Sequence, residues 1–128
     1  MTLTETQVDN LTKKFKTSYG QKVKKLSNKT SLYYSQEEGN HFIQVAFEGG
    51  NYDFDAIEKV LDINKDIKNK VLYTRSINGK FEDVNVAVTQ MLDNVRTIDP
   101  SIFNKRFAKD FIKFTDDLRM AYAMLNSI

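Results

Sequence analysis

Few side chains in this sequence could do covalent or metal chemistry. His41 is the only imidazole. A histidine acting as a general base needs a nucleophile or substrate group within hydrogen-bond reach. Placed just after Gly39-Asn40, His41 more simply suits a surface turn. Asn51, Asp53, Asp55 and Asp62 occupy positions 1, 3, 5 and 12 of a calcium-loop register. That register fails at position 6, where Ala56 replaces Gly, and at position 12, where Asp62 replaces the bidentate Glu. A helix cap explains the same residues with fewer demands. Asp66-Ile67-Lys68 matches the D-x-K fragment of metal-dependent nucleases. It falls in a segment whose spacing predicts a helix, where that chemistry wants a strand. No cysteine is present, which excludes thiol catalysis and disulfides, and one imidazole cannot build the usual zinc cages. No phosphate-cradling glycine loop, dinucleotide fingerprint or nucleophile elbow occurs. The expectation is a non-enzymatic protein with no cofactor.

The lysines are more informative. From Asn10 to Ser35 there are seven (13, 14, 16, 22, 24, 25 and 29) and no acid. From Gln36 to Asp66 there are eight acids and two lysines. Segregation of this kind hides inside a net charge of only +2. Lysines supply point charges for phosphates without reading bases, so such binding would be salt-sensitive and weakly sequence-specific. A solvated surface, or neutralisation against the acidic block, accounts for the lysines without a ligand. The candidate nucleic-acid contacts are Lys13, Lys14, Lys16, Lys22, Lys24 and Lys25.

Tyr33, Tyr34, Phe42 and Phe47 follow closely. Aromatic side chains on a sheet beside lysines can stack unpaired bases. Tyr33 and Tyr34 must point to opposite faces of a regular strand, so one of them leaves the core. Tyr34 is taken as the outward one and joins the candidate contacts. Neither an RRM-type nor a KH-type signature is present.

These residues need elements to position them. Val8, Leu11, Phe15, Tyr19, Val23 and Leu26 step by 3 or 4, which predicts a helix over 4–26. On that helix Lys13 and Lys24 oppose the apolar stripe, Lys14 and Lys25 flank it, Lys16 lies at its other edge, and Lys22 falls within it. Residues 31–35 and 41–48 read as a hairpin around a five-residue loop, 36–40. Ile43, Val45 and Phe47 then share one face, and Phe42, Gln44 and Ala46 the other. Asp55-Ala56-Ile57-Glu58 resembles a capping box opening a helix that runs to about 68–70. Residues 71–77 predict a strand, Asn78-Gly79 a hairpin turn, and 80–82 a short return strand. Over 84–98 the longer match favours a helix, with Asp83 as its cap. Asp99-Pro100 predicts the start of a last helix, whose stripe is Phe103, Phe107, Phe111, Phe114, Leu118, Tyr122 and Leu125.

The whole is one α+β domain over 1–128. A small antiparallel sheet from two hairpins carries about four helices, and the long N- and C-terminal helices pack together. Its 128 residues are 41% hydrophobic and 28% charged, normal for a globular domain. No apolar run approaches the roughly 20 residues that span a bilayer, and no export signal opens the chain, so a cytoplasmic protein without membrane contact is expected. Fifteen Lys against four Arg, with abundant Asn, suits a low-GC bacterium or its phages. The first functional expectation is therefore nucleic-acid binding, single strands included, through the Lys-rich N-terminal helix and the hairpin aromatics. The alternatives are a protein-binding accessory or inhibitor of a phage or mobile element, and a metal-dependent hydrolase using the acidic block. Self-association through the Phe-rich last helix belongs with the second.

Overall fold

The computed structural model describes residues 3–18, 21–27, 30–47, 53–73 and 75–128, with side chains for all of these except 16–18, 21–22 and 73. Among the described residues the order is α1 (Glu5–Lys14), β1 (Lys16–Ser18), β2 (Gln21–Lys25), β3 (Ser31–Glu37), β4 (Asn40–Ala46), α2 (Phe54–Leu61), α3 (Lys65–Val71), β5 (Leu72–Tyr73), β6 (Ser76–Lys80), α4 (Phe81–Val95), a 3₁₀ turn (Pro100–Ile102) and α5 (Lys105–Asn126). The strands form one sheet in the order β1-β2-β3-β4-β6-β5, with every neighbouring pair antiparallel. The fold is α+β.

The first correction concerns the basic segment. α1 begins where expected, with a capping box in which Thr4 and Gln7 satisfy each other's backbone N–H. It stops at Lys14, and Phe15 is already extended at φ −105°, ψ 126°. Lys16–Ser18 and Gln21–Lys25, expected to continue the helix, are strands instead, and residues 19–20 of the expected helix lie outside the described ones. The physical reason lies in their composition. Thr17, Ser18 and Gly20 are poor helix formers, and Lys22-Val23-Lys24 alternates with the strand period. Val23 happens to sit in helical register with Leu11 and Phe15, but it belongs to a different periodicity.

The β3–β4 hairpin is present, closed more tightly than expected. Glu37 pairs with Asn40. Glu38 and Gly39 form the turn at φ 49° and 79°, the positive values a two-residue hairpin loop demands. The Asn78-Gly79 turn is overturned, as is the return strand 80–82. Both turn residues lie inside β6, opposite Gln44 and Ile43, while Lys80 occupies the N-cap position of α4 without a side-chain capping bond and Phe81 begins the helix. Backbone conformation explains Gly79: its φ is 153°, which L side chains rarely adopt, while a Cβ there would meet Val71 Cγ1 at 3.4 Å and Val84 Cγ2 at 3.9 Å in ordinary contact. The chain reverses earlier, at Arg75 (φ 54°), between β5 and β6.

The helix expected over 55–70 is two. Asp53 caps α2 by accepting from Ala56 N–H at 3.1 Å. Asp62 turns left-handed at φ 47° and ends it, and Asn64 caps α3. Asn94 of α4 donates to the Leu61 carbonyl at 2.6 Å, covering one of the carbonyls that α2 leaves open at its end. Asp99-Pro100 opens only the 3₁₀ turn; α5 starts later, capped by Asn104. The helix over 84–98 is present as α4, displaced by three residues to 81–95.

The core lies between the sheet and the helices. Leu32, Tyr34, Ile43, Val45 and Ile77 point inward from the sheet. Against them pack Leu11 and Phe15, then Ile57 and Leu61, then Val84, Val88 and Met91, and finally Phe114 and Leu118. Phe47, Phe54 and Phe114 meet with ring centroids 5.1–5.8 Å apart. Helix α1 also meets the residues just beyond the end of α5. Asn10 donates to the Ile128 carbonyl at 3.3 Å, and Lys14 Nζ to the Ser127 carbonyl and hydroxyl, both at 2.8 Å.

Candidate nucleic-acid interface

The six candidate lysines divide between two elements. Lys13 and Lys14 close α1, a favourable end for cations on the helix dipole. Lys13 is exposed, while Lys14 is the residue tied to Ser127. Lys16 lies on β1, paired with Val23. Lys22, Lys24 and Lys25 lie on β2, opposite Tyr34, Leu32 and Ser31. Lys24 and Lys25 are exposed. The side chains of Lys16 and Lys22 fall outside the described ones. Ion pairs among the described residues are Lys68–Glu58 at 2.7 Å, Lys70–Asp83 at 3.1 Å, Arg96–Asp93 at 3.2 Å and Arg119–Asp116 at 3.8 Å. Lys13, Lys24 and Lys25 take part in none of them.

Tyr34 is the inward member of the tyrosine pair, which corrects its assignment as a surface contact. It is 6% exposed, tilted against Phe15 at 5.6 Å and stacked on His41 at 5.9 Å. Its hydroxyl lies 2.7 Å from His41 Nδ1. Burial raises the Tyr34 phenol above its ordinary range, which keeps the hydroxyl protonated and able to donate to that nitrogen. His41 is thus half-buried on β4 and engaged by a neighbour, where a loose turn residue was expected.

The outward tyrosine is Tyr33. Pairing fixes its neighbours: Val23, Tyr33, Gln44 and Asn78 form one row across four strands, and Ser35, Phe42 and Lys80 form the next. All four members of the first row are half-buried, as is Phe42, and Lys80 is exposed. These rows lie on the face opposite Leu32, Ile43, Val45 and Ile77. Tyr33 and Phe42 are diagonal neighbours, about 7 Å apart in an ordinary antiparallel sheet. A third row, Lys25, Ser31, Ala46 and Ser76, lies beyond Tyr33; there the small residues are buried and Lys25 is exposed.

At the β3–β4 turn the sheet ends in a cleft of about 520 Å³. Leu3 and Val8 form its apolar side. Asn40 and His41 come from β4, Lys70 from α3, and Lys80, Glu82 and Asp83 from the junction of β6 with α4. Lys70 and Asp83 are joined by their ion pair.

Sequence reasoning named Tyr33 and Phe42 among the hairpin aromatics without selecting them as contacts, and it did not single out Lys80. The usable signal was the alternation along β4. The face that carries Gln44 also carries Phe42, and a polar residue at the middle of a strand marks the wet side. The remaining chemical candidates disperse. Asn51 lies outside the described residues, Asp53 is a helix cap, and Asp62 ends α2. Asp66-Ile67-Lys68 is on α3, with Lys68 held by Glu58. No group of three or more His, Asp or Glu side chains among the described residues could hold a metal ion. No helix among them is long and apolar enough to cross a membrane. Compared with family models, with curated proteins and with solved structures, the chain matches none.

Proposed function

We propose that this chain binds single-stranded nucleic acid, inside the cell, across the outer face of its sheet. The supporting observation is the strand register, which sets Tyr33 and Phe42 diagonally on the face turned away from the helices. Tyr33 and Phe42 serve as stacking platforms. Lys80 beside Phe42, and Lys25 beyond Tyr33, contact phosphates on either side of them. Lys16, paired with Val23 in the Tyr33 row, extends the cationic edge onto β1, whereas Lys22 and Lys24 share the rows of Tyr34 and Leu32 on the other face and drop out of the proposed surface. Gln44 and Asn78 offer amides to base edges without imposing a strict sequence. Stacking contributes about 1–3 kcal/mol per base and tolerates any base. The groove of a duplex asks for an inserted helix or ribbon, and a broad sheet face carrying aromatics suits unpaired bases better.

The test is fluorescence anisotropy with labelled single- and double-stranded oligonucleotides. Tyr33→Ala and Phe42→Ala are each expected to weaken single-strand binding by roughly 5- to 150-fold. Tyr34→Phe leaves it unchanged. No binding at low salt, or a preference for duplex, defeats the reading.

A protein partner is the second reading, supported by apolar side chains left in solvent near and along α5: Ile102 is 73% exposed, Ile112 49% and Met120 37%. The main stripe of that helix, Phe111, Phe114, Leu118 and Leu125, is spent on the core. Sedimentation of the pure protein separates the two, since self-association through α5 would make the mass concentration-dependent.

A further inference from the structure

The cleft at the β3–β4 end shares a wall with the outer sheet face. Lys80 belongs to both: it pairs directly with Phe42 on β4 and it lines the cleft. Asn40 does the same, two residues along β4 from Phe42 and on the same face. A single strand stacked on Tyr33 and then Phe42 therefore runs toward the opening.

The contents of the cleft suit one kind of end group. Its charged groups are mixed, so a bare anion meets repulsion as well as attraction. Lys70 and Asp83 neutralise each other at 3.1 Å. That leaves Lys80 as a cation for a phosphate, and Glu82 as an acceptor for hydroxyl or amino groups. His41 adds a directed group. In the tautomer where the Tyr34 hydroxyl donates to Nδ1, the ring proton sits on Nε2, the nitrogen left to donate to a ligand. A molecule carrying a phosphate at one side and hydroxyls and ring nitrogens at the other matches this set. The volume, about 520 Å³, lies in the range of small-molecule sites.

We propose that the cleft holds the terminal nucleotide of a bound strand and recognises its phosphomonoester, with Lys80 and His41 on the phosphate and Glu82 on the sugar or base. The inference rests on the single-strand reading for the route into the cleft. The same chemistry could be offered by a free nucleotide, and the experiment separates the two sources.

Anisotropy is measured with one oligonucleotide sequence in three forms: 5′-phosphorylated, 3′-phosphorylated and hydroxyl-ended. Nucleoside monophosphate and inorganic phosphate are titrated separately, with the His41 imidazole signals followed by NMR. The expected result is that one phosphorylated form binds about tenfold tighter than the hydroxyl-ended one. Lys80→Ala and His41→Gln each remove that preference, whereas Tyr33→Ala lowers all three forms alike. Lys80→Met, which keeps the side-chain length without the charge, removes the preference if His41→Gln fails to fold. Equal binding of all three forms overturns the cleft proposal and leaves the sheet reading intact. If no oligonucleotide binds but the monophosphate shifts the His41 signals and inorganic phosphate does not, the sheet reading falls and the cleft is a free-nucleotide site. If neither oligonucleotide nor monophosphate acts, both fall.

Discussion

Tyr33 and Tyr34 differ by one position and have opposite duties. Tyr34 closes the core against Phe15 and hydrogen-bonds His41. Its pKa is raised by burial, so the folded state holds this proton more tightly than the unfolded chain does. Stability is therefore fully present below pH 10 and is lost as pH climbs through the folded-state value. Tyr34→Phe should flatten that alkaline loss, read from urea midpoints measured between pH 8 and 11. At neutral pH it should cost about 0.5–1.5 kcal/mol for the lost hydrogen bond. Thr30 makes a second buried hydrogen bond. Its hydroxyl donates to Asp117 at 2.8 Å, and both residues are buried. Thr30→Val should cost about 1–3 kcal/mol by removing one donor from a buried carboxylate, measured by thermal or urea unfolding.

At the level of elements, Gly79 provides a direct test. Its φ of 153° is one that L side chains rarely adopt, while the space beside it, toward Val71 and Val84, would admit a Cβ at ordinary contact. Gly79→Ala should destabilise by about 1–3 kcal/mol, read as a lower urea midpoint, without weakening the proposed single-strand binding. The same glycine shows where local sequence misleads. Asn-Gly is a strong turn signal, but β6 has to continue through it to pair with β4, and tertiary packing decided the matter. Elements with a long and consistent period were legible: α4, most of α5 and the β3–β4 hairpin. Those that failed were short. In residues 16–25 the spacing of Val23 from Phe15 imitated a helix, and only the β1–β2 pairing reveals the strand. The candidate site was half legible. Lysines and hairpin aromatics were visible as types, but which tyrosine faced out depended on β3 pairing with β4 in one register and no other.

For the whole molecule, the charge layout sets the expected response to salt. If the outer face engages phosphates, log affinity falls linearly with log salt, by about 0.7 per phosphate neutralised on a single strand. Lys25→Gln should lower that slope by roughly 0.7, and Tyr33→Ala should leave it unchanged while weakening binding at every salt concentration. Both faces of the sheet hang on the two-residue turn Glu38-Gly39. Side chains alternate along a strand, so sliding β4 by a single step past β3 would send Ile43 and Val45 into water and drive Phe42 and Gln44 under the helices. That hairpin loop is thus the alignment pin of the molecule: a one-residue insertion there would exchange the lining for the outer surface, and the fold and the proposed binding face would be lost together.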